Sequence, residues 1–345
     1  MSKILITGAA GFIGSQLAYR LFLEGEEVTL LDNFSYGRDD NLVFEGHDFS
    51  QEICREDIRN LEYMEELFSK NKFDTVYHFA GITPLPDCQN NPVEATEVNI
   101  VGTTIILNLS RKYGVKRIIF ASTSAVYENN TDFPSVEDVV EKPSLIYPST
   151  KYAAEQLCKA FYDAYHIPIV ILRFANVYGP HADCLRTQPP VMAYIIRELY
   201  KGNSPILHSD GNQKRDFVYV DDLIDLALLV RKNKSFDTVN VSTGKVVSIK
   251  EITALIAEAM GKEKIKTKYM KVSHFWNNYP ELYSKPYPIS TELLEHEVLK
   301  YTCLSNEHAY NNYGWQPKTS LKEGIDKTVK YTCEILDKII GDNNG

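Results

Sequence analysis

The pair Tyr147 and Lys151 is the part of this sequence best suited to acid–base chemistry. A spacing of four residues on a helix places both side chains on one face, one turn apart. A free tyrosine has a pKa near ~10, which is too high for a general base at neutral pH, and a nearby ammonium lowers it. Reaching ~7 requires about 4 kcal/mol. We expect a lysine, a hydroxyl donor and a bound cationic cofactor to supply this together.

A glycine-rich turn near the start of the chain predicts such a cofactor site. The turn follows an apolar run at 3–7 and precedes an amphipathic stretch at 15–23, an order typical of strand, turn and helix. Glycines there allow a tight turn and a close approach of a pyrophosphate, which the helix N-terminus attracts. The spacing is G-x-x-G-x-x-G rather than the commoner G-x-G-x-x-G, and a plain turn is the alternative. The candidate cofactor-binding residues are Gly8, Gly11, Phe12, Ile13 and Gly14.

An acidic residue after the second apolar run indicates which dinucleotide is preferred. Residues 27–31 are predicted to form a strand, and Asp32 and Asn33 follow it. A carboxylate at this position bonds the ribose hydroxyls and would repel a 2′-phosphate. The sequence therefore predicts NAD rather than NADP, with a helix-capping aspartate as the alternative.

Two further strand ends add candidate contacts to the cofactor. Asp57 and Ile58 follow a short strand near 52–55, where they would contact the adenine. For Asp57, a role as a helix N-cap is an equal alternative. Small residues follow the strand predicted at 74–79 and would let the cofactor approach, whereas we expect the neighbouring His78 to be structural. The residues at these positions are Asp57, Ile58, Phe79, Ala80 and Gly81.

Three hydroxyl side chains end the strand predicted at 116–121. They belong to Ser122, Thr123 and Ser124. One of them can hold a substrate oxygen within reach of Tyr147, and a turn whose hydroxyls bond the backbone is the alternative.

The alternation of strands and helices predicts a fold of the α/β class, a Rossmann-type doubly wound parallel sheet with ligands at the carboxyl ends of its strands. After residue 175 the pattern loosens, which predicts a smaller mixed α/β C-terminal domain for the substrate. The predicted NAD-binding domain covers 1–175 plus about 214–245, including a strand at 238–242 that returns to the sheet. The predicted substrate domain covers about 176–213 and 246–340.

Composition narrows the partners. The chain has 345 residues, of which 44% are hydrophobic and 24% charged, as in an ordinary globular protein. A formal charge of −9 without a basic run argues against nucleic acid and anionic membranes. The first 15 residues predict a strand and helix rather than a signal peptide, and six scattered cysteines indicate reduced thiols and no metal site. We therefore expect a cytoplasmic protein.

Together, the motifs resemble the extended short-chain dehydrogenase/reductases, in the branch of nucleotide-sugar epimerases and dehydratases, and are most similar to UDP-glucose (galactose) 4-epimerases. The resemblance spans roughly residues 3 to 330. The motifs are T-G-A-A-G-F-I-G at 7–14, L-D-N-F at 31–34, D-I-R at 57–59, H-F-A-G at 78–81, V-N-I-V-G-T at 98–103, S-T-S-A-V-Y at 122–127, Y-P-S-T-K at 147–151, L-R-F-A-N-V-Y-G-P at 172–180, R-D-F-V-Y-V-D-D at 215–222 and G-W-Q-P at 314–317.

The resemblance implies a role for each matching residue. Tyr147 would be the acid/base, Lys151 its activator and a ligand of the nicotinamide ribose, and Thr123 the hydroxyl partner. Ser124 would also face the substrate. Asn99 and Arg173 would support the active-site strands, and Asn99 would also contact the cofactor. Asn176 and Arg215 would face the substrate diphosphate.

The residues after Thr123 indicate the subtype within that branch. Sugar 4,6-dehydratases carry Asp-Glu there and nucleotide-sugar decarboxylases carry a Glu, whereas this chain has Ser124 and Ala125. Without these acids, the resemblance implies reversible hydride transfer at C4, as in a 4-epimerase. A dehydrogenase or ketoreductase that releases its cofactor, or a non-catalytic NAD-binding regulator, are the alternatives.

The chain also departs from the pattern of the 4-epimerases. Thr83 stands where a lysine usually touches the cofactor, and Glu128 replaces a glycine. Leu294 stands where an arginine usually binds the second phosphate side of the nucleotide, which leaves the base and the sugar open. Tyr301 or Thr302 would limit the size of the sugar.

The resemblance further implies a UDP-sugar as the favoured substrate and a homodimer formed through the helices near 92–113 and 146–166. The apolar residues Ile105, Ile106, Leu107 and Leu109 would leave a face for a partner, although packing on the sheet explains part of it equally well. The aromatic segment 263–297 is predicted to be a substrate-side loop or lid, with a packing insertion or a dimer contact as alternatives.

Overall fold

The computed structural model describes residues 2–272 and 275–342. The strands are β1 Lys3–Thr7, β2 Glu27–Asp32, β3 Val43–Phe44, β4 His47–Asp48, β5 Cys54–Arg55, β6 Thr75–His78, β7 Arg117–Thr123, β8 Ile169–Phe174, β9 Asn176–Tyr178, β10 Ile206–His208, β11 Lys214–Tyr219, β12 Asp237–Val241, β13 Val246–Ser248 and β14 Lys268–Met270. The helices are α1 Phe12–Leu23, α2 Leu61–Asn71, α3 Leu85–Asn90, α4 Pro92–Thr96, α5 Thr103–Lys112, α6 Ile146–Tyr165, α7 Val191–Tyr200, α8 Val220–Val230, α9 Ile249–Ala259, α10 Thr291–Leu299, α11 Glu307–Tyr313 and α12 Leu321–Asp342. None of these helices is long and apolar enough to cross a membrane.

A seven-stranded parallel sheet forms the centre of the molecule, in the order β12-β8-β7-β6-β1-β2-β5. Its strands are apolar runs because helices cover both faces. In β1, Ile4 and Ile6 pack into the hydrophobic cluster on one face, and Leu5 packs into the cluster on the other. The predicted doubly wound α/β fold is confirmed.

The strand order places the predicted site residues at one edge of this sheet. The chain runs outward from β1 through β2 to β5, and returns through β6, β7 and β8 on the other side. Thr7 aligns with Leu31 on one neighbour and with His78 on the other, so β1, β2 and β6 end at the same level. Ligands of open α/β sheets bind in the crevice at such a reversal.

A three-stranded sheet, β13-β11-β9, lies beyond the main one. β11 runs parallel to β9 and antiparallel to β13. The domain division proposed from the sequence assigns β11 and β12 to the NAD-binding domain, although the two strands lie in different sheets. We keep that division as a proposal.

The helix predicted at 92–113 is interrupted. α4 and α5 flank a π-helical turn at Glu97–Gly102. Such turns insert an extra residue and often occur at functional sites. Three of the four apolar residues proposed as a partner face are buried within the single chain, because they pack beneath the sheet: Ile106, Leu107 and Leu109. Packing on the sheet is therefore the correct explanation for these three.

Candidate active site

The glycine turn after β1 forms a tightly closed cradle at the start of α1. Gly8 has a φ of 73°, and a Cβ there would lie 2.7 Å from the backbone nitrogen of Ala80. A Cβ on Gly14 would lie 2.1 Å from the carbonyl oxygen of Gly8. Only glycine fits these two positions, because any side chain would push the turn away from α1 or from the end of β6. Gly11 caps α1 without a side-chain hydrogen bond, which leaves the helix N-terminus open to an anion.

Asp32 ends β2 beside this cradle and is buried. One carboxylate oxygen accepts a hydrogen bond from the Ala10 amide at 3.0 Å, and the other accepts one from the Phe34 amide at 2.7 Å. Burial raises the pKa of Asp32, while these two amides act in the opposite direction. The carboxylate therefore holds the glycine turn in place and does not cap a helix.

Asp57 occupies the far end of the same edge. Its pKa is lowered to about 2, chiefly by hydrogen bonds from the Arg59 guanidinium, and the Asn33 amide also donates to it at 2.8 Å. The N-cap of α2 is Asn60, whose side chain accepts a hydrogen bond from the Tyr63 amide. The alternative of an N-cap role for Asp57 is therefore wrong, and its carboxylate stays charged at neutral pH.

His78 and Asn99 are buried supports of the strand ends. The two ring nitrogens of His78 hydrogen-bond to Thr7 and Thr103, and burial lowers its pKa to about 3, so it is neutral. The Asn99 side chain accepts a hydrogen bond from the Ile82 amide and donates to the Ile82 carbonyl and to the Thr150 hydroxyl. Asn99 thereby ties the end of β6 to α6.

The three predicted catalytic residues come from two adjacent elements. Thr123 is the last residue of β7, where its hydroxyl accepts a hydrogen bond from the Ala125 amide at 3.1 Å. Tyr147 and Lys151 lie in the first two turns of α6, and both are buried. The Thr123 hydroxyl lies close enough to the phenol of Tyr147 to act on its pKa, in the lowering direction. The strand end and the helix start therefore meet at the phenol.

Burial is the largest influence on the pKa values of both Tyr147 and Lys151. Burial raises the pKa of Tyr147, and the Thr123 hydroxyl and the Arg186 guanidinium act in the opposite direction. The predicted action of Lys151 on the phenol, together with a hydroxyl donor and a bound cofactor, stays a prediction. The Lys151 ammonium lies 4.1 Å from the centre of the Phe120 ring, and burial lowers its pKa to about 8. Both side chains are buried, and both line the cavity described below.

Glu128 positions the start of α6. The sequence motif places a glycine here, but the buried Glu128 carboxylate accepts hydrogen bonds from the amides of Ser144 and Leu145. These are the residues immediately before α6, so Glu128 supports the turn that carries Tyr147. This departure from the pattern therefore has a structural role.

A buried ion pair lies beneath the same elements. Arg173 on β8 makes two hydrogen bonds to Glu155 on α6, at 3.0 and 2.7 Å, and another to the hydroxyl of Tyr127. Burial by itself lowers the pKa of Arg173, but the Glu155 carboxylate overcomes this and leaves it raised. Ser122 donates a hydrogen bond to the same carboxylate. The pair therefore joins β7, β8 and α6.

Two adjoining cavities open at this edge of the sheet. The first, which we call the glycine cavity, contains most of the predicted cofactor-binding residues: Gly8, Gly11, Phe12, Ile13, Gly14, Asp32, Asn33, Asp57, Ile58, Phe79, Ala80, Gly81, Tyr147 and Lys151. The second, which we call the threonine cavity, is lined by Thr123, Tyr147 and Asn176. Tyr147 faces both cavities, so a group bound in one meets a group bound in the other at its phenol.

Three predicted site residues line neither cavity. Asn99 supports Ile82 as described above, and Ser124 begins the short 3-10 turn Ser124–Tyr127. Arg215 donates to the carbonyls of Glu297 and Val298 at the end of α10, and burial lowers its pKa to about 10. Contact of these three residues with a ligand stays a prediction.

The residues expected to select the sugar also lie outside the two cavities. Tyr301 packs against Phe133, and Thr302 pairs with the edge of β11. Leu294 is fully enclosed with Leu145 and Trp276. The position matched to the expected arginine is therefore a core position in this chain.

The aromatic segment 263–297 packs against the chain itself, and its residues 273 and 274 lie outside the described part. Trp276 is buried against Leu145, two residues before Tyr147. The Tyr279 hydroxyl donates a hydrogen bond to one oxygen of Asp87 on α3, and the Tyr36 hydroxyl donates to the other at 2.7 Å. These contacts favour the packing insertion over a free lid.

Sequence reasoning missed Arg186 and Tyr36, which both line the glycine cavity. Arg186 lies in the loop between β9 and α7, where the sequence shows Gly-Pro punctuation but no periodic pattern. A cation in a loop that follows a strand end is the signal that could have found it. Tyr36 follows the L-D-N-F motif by two residues.

The cradle, the open helix N-terminus and the buried carboxylate after β2 fit a dinucleotide such as NAD. Bound NAD would be held by these residues.

Comparisons with known proteins identify the family. Residues 4–242 match the model of the NAD dependent epimerase/dehydratase family. A putative UDP-glucose 4-epimerase of Methanocaldococcus jannaschii is 32% identical over 95% of this chain and 97% of its own. A Thermotoga maritima UDP-glucose 4-epimerase solved with UDP-glucose has a TM-score of 0.85 and 30% identity, covering 97% of this chain and 99% of its own. A Thermus thermophilus UDP-glucose 4-epimerase solved with NAD has a TM-score of 0.80 and 28% identity, covering 96% and 98%. The chain therefore belongs to the NAD-dependent epimerase/dehydratase family, whose cofactor is NAD.

Proposed function

We propose that this chain epimerises a nucleotide-diphosphate sugar at C4 through a transient 4-keto sugar. Tyr147 is the acid/base, Thr123 holds the reacting hydroxyl, and Lys151 supports the charge of the site. The family contains both epimerases and dehydratases, so the proposal depends on which groups surround the sugar.

The chemistry of the threonine cavity carries the proposal. No carboxylate of the described residues lines this cavity, whose polar side chains are hydroxyls and the Asn176 amide. Elimination of water or loss of carbon dioxide needs a second acid or base beside the sugar. Ala125, at the position where such an acid stands in the related enzymes, is buried and apolar. The site therefore favours an exchange of one proton and one hydride at C4.

The residues move the proton as follows. The phenolate of Tyr147 takes the proton of the 4-hydroxyl and later returns it to the new 4-hydroxyl of the epimer. The chemistry supplied by NAD is reversible hydride transfer at C4. Thr123 keeps the sugar oxygen close to the phenol and favours its ionised form. General-base catalysis of this kind contributes typically about 10²–10⁴-fold.

The walls of the threonine cavity allow the keto sugar to turn over. Epimerisation requires the hydride to return to the opposite face of C4, so the ring must not be fixed by many hydrogen bonds. Apolar side chains form much of the wall, including Val177, Met192 and Phe217. Such a wall limits the space for the ring but does not fix its orientation through hydrogen bonds.

The nucleotide and the assembly are part of the same proposal. The Thermotoga relative was solved with UDP-glucose, which supports a UDP-sugar as the substrate of this chain. We further propose a cytoplasmic homodimer formed through α4, α5 and α6, which light scattering after size-exclusion chromatography would test. The division into an NAD-binding and a substrate domain belongs to this proposal as well.

Proton NMR on a panel of UDP- and dTDP-hexoses tests the function. We expect the anomeric signal of the C4 epimer to appear without added NAD and without net NADH. Tyr147→Phe should slow this conversion by about 10²–10⁴-fold, whereas Tyr152→Phe, on the same helix, should retain it.

Other products would select the alternatives. Stoichiometric NADH with a stable keto sugar would indicate a dehydrogenase, and a 4-keto-6-deoxy sugar would indicate a dehydratase. Binding of NAD without turnover of any sugar in the panel would leave a regulatory role and contradict the proposal.

A further inference from the structure

Arg186 is a partly buried cation of the glycine cavity that the described residues do not neutralise. Its Nε donates a hydrogen bond to the Gln188 carbonyl at 2.8 Å. Its two terminal nitrogens have no hydrogen-bond acceptor in the described chain, and no described carboxylate lies within 4.0 Å of them. A guanidinium removed from water normally has an anionic or carbonyl partner for its planar fork. The terminal nitrogens of Arg186 are therefore available to bind an anion that enters the cavity.

The nearest carboxylates are already in use. One oxygen of Asp183 accepts hydrogen bonds from the amides of Leu185 and Arg186 itself, and so shapes the loop. Both oxygens of Asp87 accept hydrogen bonds from tyrosine hydroxyls. These contacts fix the surroundings of Arg186 without occupying its terminal nitrogens.

The loop that carries Arg186 packs on the beginning of α1. The Ser15 hydroxyl hydrogen-bonds to the ring of His181 at 3.2 Å, and the Gln16 amide donates to the Pro180 carbonyl. Phe12 packs against a buried cluster that includes Ala182 and Cys184 of the same loop. The loop is thereby fixed against α1, and Arg186 lines the same cavity as the glycine turn, where a pyrophosphate is expected.

The lining of the glycine cavity contains few cations that could bind an anionic diphosphate. The lining contains five carboxylates and, among the described residues, two cationic side chains, Lys151 and Arg186. The Lys151 ammonium already lies over the Phe120 ring. Thr83 is also in the lining, where the sequence pattern usually has a lysine. A dianionic diphosphate entering this cavity therefore meets one cation at its outer end. The five carboxylates are Asp32, Glu56, Asp57, Glu94 and Asp183.

We propose that Arg186 binds the diphosphate of the dinucleotide cofactor, across the cavity from the α1 N-terminus, and supplies the positive charge that Thr83 lacks. The site recognises a nucleoside diphosphate, and we assign it to the cofactor because Arg186 lines the glycine cavity and not the threonine cavity. The proposal depends on the NAD dependence of the family and not on C4 epimerisation, so the two can fail separately.

Calorimetry on the full-length chain, stripped of bound nucleotide, tests the proposal with NAD⁺, ADP, adenosine and UDP as separate probes. Arg186→Gln should weaken NAD⁺ and ADP about 10-fold or more, because it removes charge-assisted hydrogen bonds to the diphosphate. Adenosine should bind equally to both proteins. Arg186→Lys, which keeps the charge but not the fork, should lie between them. Arg38→Gln, which removes an arginine already paired with Asp40, is the matched control and should bind like the wild type.

A second measurement needs no variant. Phenylglyoxal modifies accessible arginines, and peptide mass spectrometry reports modification at Arg186. NAD⁺ and ADP should protect this arginine at least about 10-fold, in line with an occupied fork, and adenosine should not. Equal protection by adenosine, or none by NAD⁺, would overturn the proposal.

The calorimetry has three opposing outcomes. Unchanged affinity of Arg186→Gln for ADP would exclude contact with the diphosphate. An equal loss for adenosine would mean that the pocket was distorted. A loss confined to UDP would assign the arginine to the nucleotide sugar. Each would overturn the cofactor assignment and leave the proposed sugar reaction standing.

Discussion

The glycine and threonine cavities share Tyr147 but differ in charge. Carboxylates, Lys151 and Arg186 line the first, whereas hydroxyls, one amide and apolar side chains line the second. The charged side chains thus line the cavity expected to bind the dinucleotide, and neutral side chains line the cavity proposed for the sugar. Under the proposed function, this difference would restrict a fold shared with dehydratases to exchange at C4, because the sugar would meet one proton carrier and no carboxylate of the described residues.

Removing that proton carrier is the strongest test of the comparison. Tyr147→Phe should lower turnover by about 10²–10⁴-fold, because the 4-hydroxyl proton then has no acceptor. The NAD content, measured by mass spectrometry, should stay near the wild-type value, since the charged cavity is intact. Near-normal turnover in this variant would show that another group carries the proton.

The buried ion pair of Arg173 and Glu155 is charged but lines neither cavity, so we expect its removal to affect the stability of the fold. Arg173→Met leaves Glu155 buried without its partner and should lower the free energy of unfolding by about 3–5 kcal/mol. The half-exposed pair of Arg20 and Asp225 is the matched control, and Arg20→Met should cost only about 0–1 kcal/mol. Urea denaturation measures both. Equal effects would mean that the pair beneath the site is not specially important for its stability.

The pKa of Lys151 in the glycine cavity can be used to test whether burial controls its protonation. Its pKa falls from 10.5 to about 8 in the folded chain. The unfolded state therefore binds more protons between these values, so the stability of the cofactor-free wild type should rise from pH 8 to 10.5 by about 3 kcal/mol.

Lys151→Met removes this titration and provides the control. It should be more stable than the wild type at pH 7, and the difference should close as the pH rises through that window. Parallel pH profiles of unfolding for the two proteins would contradict the assignment.

A new charge in the threonine cavity should have the smallest effect of the four. Asn176→Asp introduces a carboxylate where the structure has an amide that donates to the Asp216 carbonyl at 3.0 Å. We expect the KM for the nucleotide sugar to rise about 10-fold, because the substrate is anionic and the donor is lost. Asn176→Ala, which loses the donor without adding charge, should have a weaker effect. Equal KM values for the two variants would show that charge neutrality is unimportant there.

The two cavities also differ in how far the sequence predicted them. Part of the lining of the glycine cavity follows from local patterns, because these residues lie at or shortly after the end of a strand and parallel strands end at one edge. Gly8, Asp32 and Gly81 are examples of residues placed correctly by this rule.

Long-range packing determined the positions that the sequence could not place. Arg215 carries the expected guanidinium, but its direction depends on the end of α10, more than 80 residues later. Arg186 lies in a loop without periodicity, and its neighbours Tyr36 and Asp87 come from distant parts of the chain. The Lys151 ammonium lies over the Phe120 ring of β7, and its predicted action on Tyr147 stays a prediction.

The most direct test of the account follows the hydrogen at C4. A nucleotide sugar deuterated at C4 is incubated in ordinary water with the holoenzyme, and NMR and mass spectrometry locate the label in the product. The account predicts that the C4 epimer keeps its deuterium, because the hydride leaves C4 and returns to it while only the hydroxyl proton exchanges through Tyr147. Loss of the label to solvent, its transfer to C6 with loss of water, or its accumulation in reduced cofactor would contradict it.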